Sequence, residues 1–362
     1  MQQSALQRFG FFVPATLAMP ASGVDISGGS VKCVRLTHEH GHIALAAYGE
    51  VPLQPGVVVE GDIEKPDVIA DILRSFRLKY RVRYANATLS EKKAFLYQIL
   101  VPPGTASLRE AVEFDLEAHV PLPPAETLYD YEVARQTPEG AIVSVTAFAK
   151  RVVETYQAVF VKAGIGLRAL EVESHAIARA ALKAKDRTRA VMLVDMGKKT
   201  TRIAVADHGV ISYTTTMDLG GDLLTQALMK RFSIEASAAE EKKNATGFLR
   251  GKDNADVVEA VVASISVLRD ELLKNIDYWN NPADDELPRT PVEKVIISGG
   301  NANVIGLAEY LADATRLTVV PAKVWQNAFS LDEYIPPMPA QHSLEYAPAI
   351  GLALRGAFNQ SW

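Results

Sequence analysis

Among 362 residues there is one cysteine, Cys33, so no internal disulfide can form and the composition is compatible with a reducing compartment. Cys33 lies in the apolar run VKCVRL, where a packed core thiol is expected rather than a nucleophile. Long apolar runs are missing as well: none approaches the ~20 residues that a membrane-spanning helix needs. Positive charge is not in excess. A net charge of −5 with no dominant basic face gives no reason to expect nucleic-acid binding. The chain has no GxxxxGK[ST] P-loop, HExxH, CxxC cluster or nucleophile elbow. His38, His40 and His42 come close together in HEHGH, but Gly41 marks a turn that breaks the alternation a shared metal would need, so a solvated turn is expected. The opening MQQSALQRFGFFVPATLAMPAS mimics a secretory signal through Arg8 and the small residues near Ala21. Pro14 and Pro20 interrupt it, and a docked tail is the expectation.

What the chain does have is enough length for two or more compact units, with an ordinary globular balance of 48% apolar and 22% charged residues. It also has an internal repeat. SGVDISGGSVKCVRLTHEHGHIALAAYG resembles VMLVDMGKKTTRIAVADHGVISYTTT, with Asp25 matching Asp195, Ser27 matching Gly197, Ser30 matching Thr200 and Lys32 matching Arg202. Each copy predicts a strand ending in Asp, a tight turn of small residues, a second strand, a His-Gly turn and a third strand. Gly28, Gly29 and Gly197 allow the backbone close to a ligand, and successive N–H groups in such a turn make an anion nest. Ser27, Ser30, Thr200 and Thr201 add hydroxyl donors, while Asp25 and Asp195 could hold a hydrated Mg²⁺ between the two turns.

Further along, VEKVIISGGNANVIGLAEYLADAT predicts a buried strand, the turn Gly299-Gly300-Asn301 and an amphipathic helix. MDLGGDLLTQALMKRF places Gly220-Gly221 at a helix start, and ASAAEEKKN sets Glu240 and Lys243 one helical turn apart; all four are candidates for the nucleotide site, with a solvated face the plainer reading for Glu240 and Lys243.

In this order the segments resemble the actin-like ATPase superfamily. DISGGSVK and DMGKKTTR look like its two phosphate motifs, IISGGNANVIGL like its adenosine motif, and LEVESHAIARAAL and EYAPAIGLALRGAF like its connecting segments. Within it the chain resembles the PilM family of type IV pilus assembly, relatives of FtsA, through FFVPATLAMPASGVDIS, VPPGTASLREAVEFDLEAHVPLPPAETLYDYEV and the layout of EVESHAIARAAL before VMLVDMG. The resemblance implies an α/β, actin-like fold: two related halves around a nucleotide cleft, with an FtsA/PilM-type inserted α/β subdomain. The expected layout is a tail at 1–21, a first subdomain at 22–91 and 171–190, the insertion at 92–170 and a second half at 191–362.

The resemblance implies ATP or ADP with Mg²⁺ as cofactors. It implies as partner the N-terminal cytoplasmic peptide of a PilN-like inner-membrane protein, which would hold a cytoplasmic chain peripherally at that membrane; self-association is left open. Two lysines, Lys198 and Lys199, replace the small residues usual in the second phosphate turn. One is expected to face the phosphates. Glu173 is the candidate for orienting an attacking water, with Glu171 a near-equal competitor. Binding is therefore expected more firmly than hydrolysis. The alternatives are a small-molecule kinase of the same fold, for which no Asp-rich substrate loop is found, and an FtsA-like division filament, for which ALRGAFNQSW is a poor membrane helix.

Overall fold

Both copies of the repeat fold as three antiparallel strands leading into parallel ones, in a computed structural model that describes residues 20–39, 42–248, 254–283 and 287–358. His40 and most of the predicted N-terminal tail lie outside the described residues. The first copy gives β1 (Ser22–Ile26), β2 (Ser30–Glu39) and β3 (His42–Pro52), followed by a short ribbon, β4 (Val58–Val59) and β5 (Asp62–Ile63), helix α1 (Pro66–Tyr80) and β6 (Tyr84–Leu89). Next come β7 (Ala94–Val101), α2 (Leu108–His119), β8 (Thr127–Thr137), β9 (Gly140–Ala149), α3 (Lys150–Ala163), β10 (Gly166–Val172) and α4 (Glu173–Ala181). The second copy gives β11 (Ala190–Met196), β12 (Thr201–Asp207) and β13 (Val210–Met217). It is followed by α5 (Gly221–Phe232), α6 (Ala236–Thr246), α7 (Ala255–Asn280), β14 (Val292–Ser298), α8 (Leu307–Thr315), β15 (Thr318–Pro321), α9 (Ala340–Ser343) and α10 (Ala347–Phe358).

The two large sheets have one topology. One runs β3-β2-β1-β6-β10 and the other β13-β12-β11-β14-β15. In each, the central strand pairs antiparallel with the next strand of its hairpin and parallel with a strand that arrives later. The His-Gly turn of the second copy is a two-residue hairpin with both residues at positive φ, His208 at 53° and Gly209 at 84°, as the twist of a tight hairpin requires. Cys33 is fully buried between sheet and helix, and burial pushes its thiol up to about 12, which leaves it inert.

Between β6 and β10 the chain makes a separate three-stranded sheet, β7-β9-β8, covered by α2 through Val112 and Leu116. Within the expected insertion of 92–170, this sheet and α2 occupy 94–149. Helix α3 instead buries Val152, Tyr156, Val159 and Phe160 in the core of the first half, and β10 extends the first sheet. An amphipathic stripe fixes which face of a helix is buried, but not which neighbour covers it. The small sheet rests on the β12–β13 hairpin of the second half, where Ser144 Oγ donates to the Ile211 carbonyl (2.7 Å) and Arg135 pairs with Asp207 (3.1 Å).

Helices α4 and α10 lie between the two large sheets. Gly351 sits against the Ala176 carbonyl and Gly23 against the Ala349 carbonyl; a methyl group at either position would overlap backbone atoms. Asn86 Nδ2 donates to the Leu352 carbonyl at 2.9 Å, tying β6 to α10.

Candidate functional site

The turn between β1 and β2 is closed by its own serines. Ser27 N and Oγ both donate to the Ser30 carbonyl at 3.0 Å, and Ser30 N donates to Ser27 Oγ at 3.3 Å. Gly28 and Gly29 are exposed, and a methyl group at Gly29 would meet nothing within 4 Å, so the outer face of this turn is open to a ligand. Lys32 Nζ donates to Ser30 Oγ (2.8 Å), lies 3.2 Å from Glu50, and stands 6.0 Å from the Tyr346 ring centroid. An ammonium group anchored beside an open glycine turn suits an anion.

The turn between β11 and β12 is covered from behind instead. Gly221 N donates to the Gly197 carbonyl (3.1 Å) and Asp222 N to the Lys198 carbonyl (2.9 Å), so the start of α5 is laid along the loop. Asn301 Nδ2 donates to the Gly197 carbonyl at 2.9 Å, while Asn301 Oδ1 accepts from Lys243 Nζ at 3.0 Å. Lys243 is 2% exposed and pairs with Glu240 at 2.7 Å, and Glu240 also accepts from Thr225 Oγ1 at 2.6 Å. The solvated face expected here holds for Glu240, which stays exposed, and is corrected for Lys243: their helical spacing holds, but α6 turns the lysine inward to Asn301. Gly299 has φ 86° and donates its N–H to the Leu344 carbonyl (3.0 Å), which a side chain at that backbone conformation would strain. Lys198 and Lys199 are exposed. Thr201 is buried with its hydroxyl committed to the Leu219 carbonyl (2.6 Å), unlike the ligand donor expected of it.

Where the two repeat copies meet, a buried ion cluster spans the halves. Arg202 of β12 lies with Nε 2.6 Å from Glu173, Nη2 2.7 Å from Glu173, Nη1 2.8 Å from Asp195 and Nε 3.5 Å from Glu91. Asp195 also accepts from Ser298 Oγ (2.9 Å), and Asp25 accepts from Thr88 Oγ1 (2.9 Å). Glu91 takes the Ser174 amide at 2.6 Å. Burial opposes the arginine's charge, but Glu173 and Asp195 outweigh it and hold the guanidinium charged. Burial pushes Glu173 well above the carboxylate range, against the Arg202 charge and with help from Glu91 beside it. Burial pulls Glu91 the same way, yet a hydrogen bond from Glu173, the Arg202 charge and the Ser174 amide leave it lowered. The two acids are thus pushed apart, Glu173 upward and Glu91 downward. Burial also raises Asp25, opposed by Lys32 and Arg202.

Glu171 lies elsewhere, bound by Arg179 (2.9 Å to Oε2) and Arg355 on the side of the inserted sheet. Arg202, Glu91, Thr88 and Ser298 were missed as site residues by sequence reasoning. The one available signal was Arg202 standing where the first copy has Lys32. Glu345 was missed as well: burial raises it, and it packs near Gly300 and close enough to Lys32 and Glu240 to feel both charges.

Two sheets of one topology, joined by a buried ion cluster between the halves, have the actin-like ATPase fold. The family model of the type IV pilus assembly protein PilM matches residues 23–357, and the chain belongs to that family. The fold is similar to that of a solved PilM-PilN type IV pilus biogenesis complex, at 24% identity and TM-score 0.75 over 93% of this chain and 98% of that one. It is also similar to the ethanolamine utilization protein EutJ from Carboxydothermus hydrogenoformans, with 18% identity, TM-score 0.53, and 93% and 92% coverage. MreB5 of Spiroplasma citri bound to ADP matches with 13% identity, TM-score 0.52, and 92% and 96% coverage. Among the described residues no helix is long and apolar enough to cross a membrane.

Proposed function

We propose that this chain is a nucleotide-holding scaffold of type IV pilus assembly, acting in the cytoplasm and tethered to the inner membrane through a partner. The observation that supports the nucleotide half is the pair of matched turns, one open at Gly28-Gly29 and one backed by Gly220, Gly221 and Asn301, whose strand-end Asp25 and Asp195 both lie within reach of the Arg202 charge. In this reading the polyphosphate of ATP or ADP lies between them, against the amides of the first turn with Lys32 and one of Lys198 or Lys199, and the base lies toward Gly299-Gly300. The donor set suits an anion: Gly28 and Gly29 are exposed in the first turn with Lys32 beside them, and Lys198 and Lys199 are exposed on the second.

The residues at the strand ends leave little capacity for the hydrated Mg²⁺ expected between Asp25 and Asp195. Asp25 and Asp195 are engaged by Thr88, Ser298 and Arg202, and among the described residues no three His, Cys, Asp or Glu side chains are placed to hold a metal. Nor does Glu173 suit a water-orienting base, since it is turned into the cluster and favours its protonated form. Holding nucleotide without rapid turnover follows from this reading.

The partner half is supported by the PilM-PilN complex whose fold this chain shares. A cavity of about 220 Å³ lies between the inserted sheet and the first half, lined by Leu128, Tyr129, Tyr131, Phe148 and Leu170, with Glu171 and Arg355 among its polar groups. Its wall strands β8 and β10 are edge strands, which leaves backbone groups for an extended peptide to pair with. We assign this groove to the N-terminal peptide of a PilN-like protein.

The test is calorimetric titration of the purified chain with ATP and ADP, on wild type and Ser30→Ala, with and without a synthetic peptide of the PilN-like partner. Saturable nucleotide binding, weakened in the variant, is the expected result. Absence of binding by the wild type would reduce the two turns to structural features.

A further inference from the structure

We infer that Arg202 is the built-in cation of this cleft, so that nucleotide is held without a divalent metal. The inference rests on the nucleotide reading above and follows from what fills the junction. In the repeat, Lys32 and Arg202 occupy matched positions, yet Lys32 pairs with Glu50 of its own half whereas Arg202 pairs across the halves with Glu173 and Glu91. A metal at such a junction cancels the repulsion between the strand-end carboxylates and the phosphates. Arg202 already does this for Asp195 at 2.8 Å and for Glu173 at 2.6 Å, and its charge also acts on Asp25. The two carboxylates that would hold the ion have hydrogen-bond donors of their own, Thr88 for Asp25 and Ser298 for Asp195. A small divalent ion needs near-octahedral oxygen ligands at about 2.0–2.1 Å, and here it would have to settle beside a fixed positive charge. A guanidinium serves as well because its planar fork satisfies several carboxylates at once and never loses its proton at physiological pH.

The experiment has two arms. ATP is titrated calorimetrically in EDTA and in excess Mg²⁺ against wild type and Arg202→Ala, and Mn²⁺ alone is titrated into both proteins by electron paramagnetic resonance. Wild type is expected to change its ATP Kd less than about threefold between EDTA and Mg²⁺, whereas the variant loses about tenfold in EDTA and regains it with Mg²⁺. Bound Mn²⁺ is expected in the variant and not in wild type. A wild type that weakens tenfold in EDTA, wild-type protein that binds Mn²⁺, or a variant as indifferent to metal as wild type each overturns the inference. If ATP binds wild type in neither condition, the nucleotide reading fails, and the Mn²⁺ arm alone decides what Arg202 does. Should Arg202→Ala not fold, Arg202→Gln keeps the stem and a hydrogen-bonding head without the charge and takes its place.

Discussion

The two turns of the repeat begin from nearly the same sequence plan and end in opposite states. In the first, Ser27 and Ser30 close the turn internally, Gly29 faces open space, and Lys32 is held by Ser30 and Glu50 of its own half. In the second, α5 and Asn301 cover the turn, and Arg202, the counterpart of Lys32, is swallowed by four carboxylates. A duplicated backbone therefore does not imply duplicated chemistry. The repeat fixes where the chain turns and which way each strand-end Asp points. One basic residue two positions after each turn then decides whether that side keeps an open anion seat or becomes the joint between halves. An ammonium is well served by one hydroxyl and one carboxylate, whereas a guanidinium can satisfy several acids at once and so can be buried among them.

The comparison breaks most visibly if the joint is removed. Arg202→Ala leaves Glu91, Asp195 and Asp25 without their shared cation and is expected to cost about 3–5 kcal/mol of stability, measured by urea unfolding. Next in size is Gly221→Ala, whose methyl group would overlap the Asn301 side chain and push it off the Gly197 carbonyl. A loss of about 1–3 kcal/mol is expected, since the overlap sits in a packed region. Glu173→Gln sharpens the comparison from the other side. Because Glu173 is raised, its contribution is fully present below its ordinary value of 4.5 and is lost as pH rises through the folded value. Gln removes the titrating group, so the decline of stability as pH rises through the folded value should flatten. A variant several kcal/mol less stable at neutral pH would mean that Glu173 is charged there. Smallest of all, Gly29→Ala should leave stability within about 0.5 kcal/mol, because the added methyl group meets nothing. The same change should weaken ATP binding in the calorimeter, which separates an open seat from a covered one.

The parts legible in the sequence are those built from neighbours. The hairpins, the strand-ending aspartates, the helix start at Gly221 and the one-turn spacing of Glu240 and Lys243 are all set within a few residues. The order of the segments carried the family. What stayed hidden is what distance in sequence assembles. Glu91 stands in the polar run SEKK and looks like surface, yet it is buried beside Arg202 from another sheet. Lys243 carries no local sign that Asn301 will cover it. Thr201 reads as a donor because of its chemistry, but its hydroxyl is spent on Leu219 eighteen residues on. The apolar stripe of α3 fits a core in either body, and only its packing partners in the first half say which one it joins.

Helix α10 gives the first sheet a dependence on order of synthesis. Gly23 and Ala21 of the earliest described segment are packed against Ala349 and Gly356, and Asn86 bonds to Leu352. A ribosome that has released residues 20–181 has therefore delivered every strand of that sheet and still not the helix that seals it. Until α10 arrives, Asn86 lacks its acceptor and the Gly23 face of β1 stays wet. Contacts of such large sequence separation form late because the loop they close must be ordered first. The chain thus folds its second half against an unfinished first one, and the interval between the two is when an exposed β1 is most open to chaperones or to mispairing.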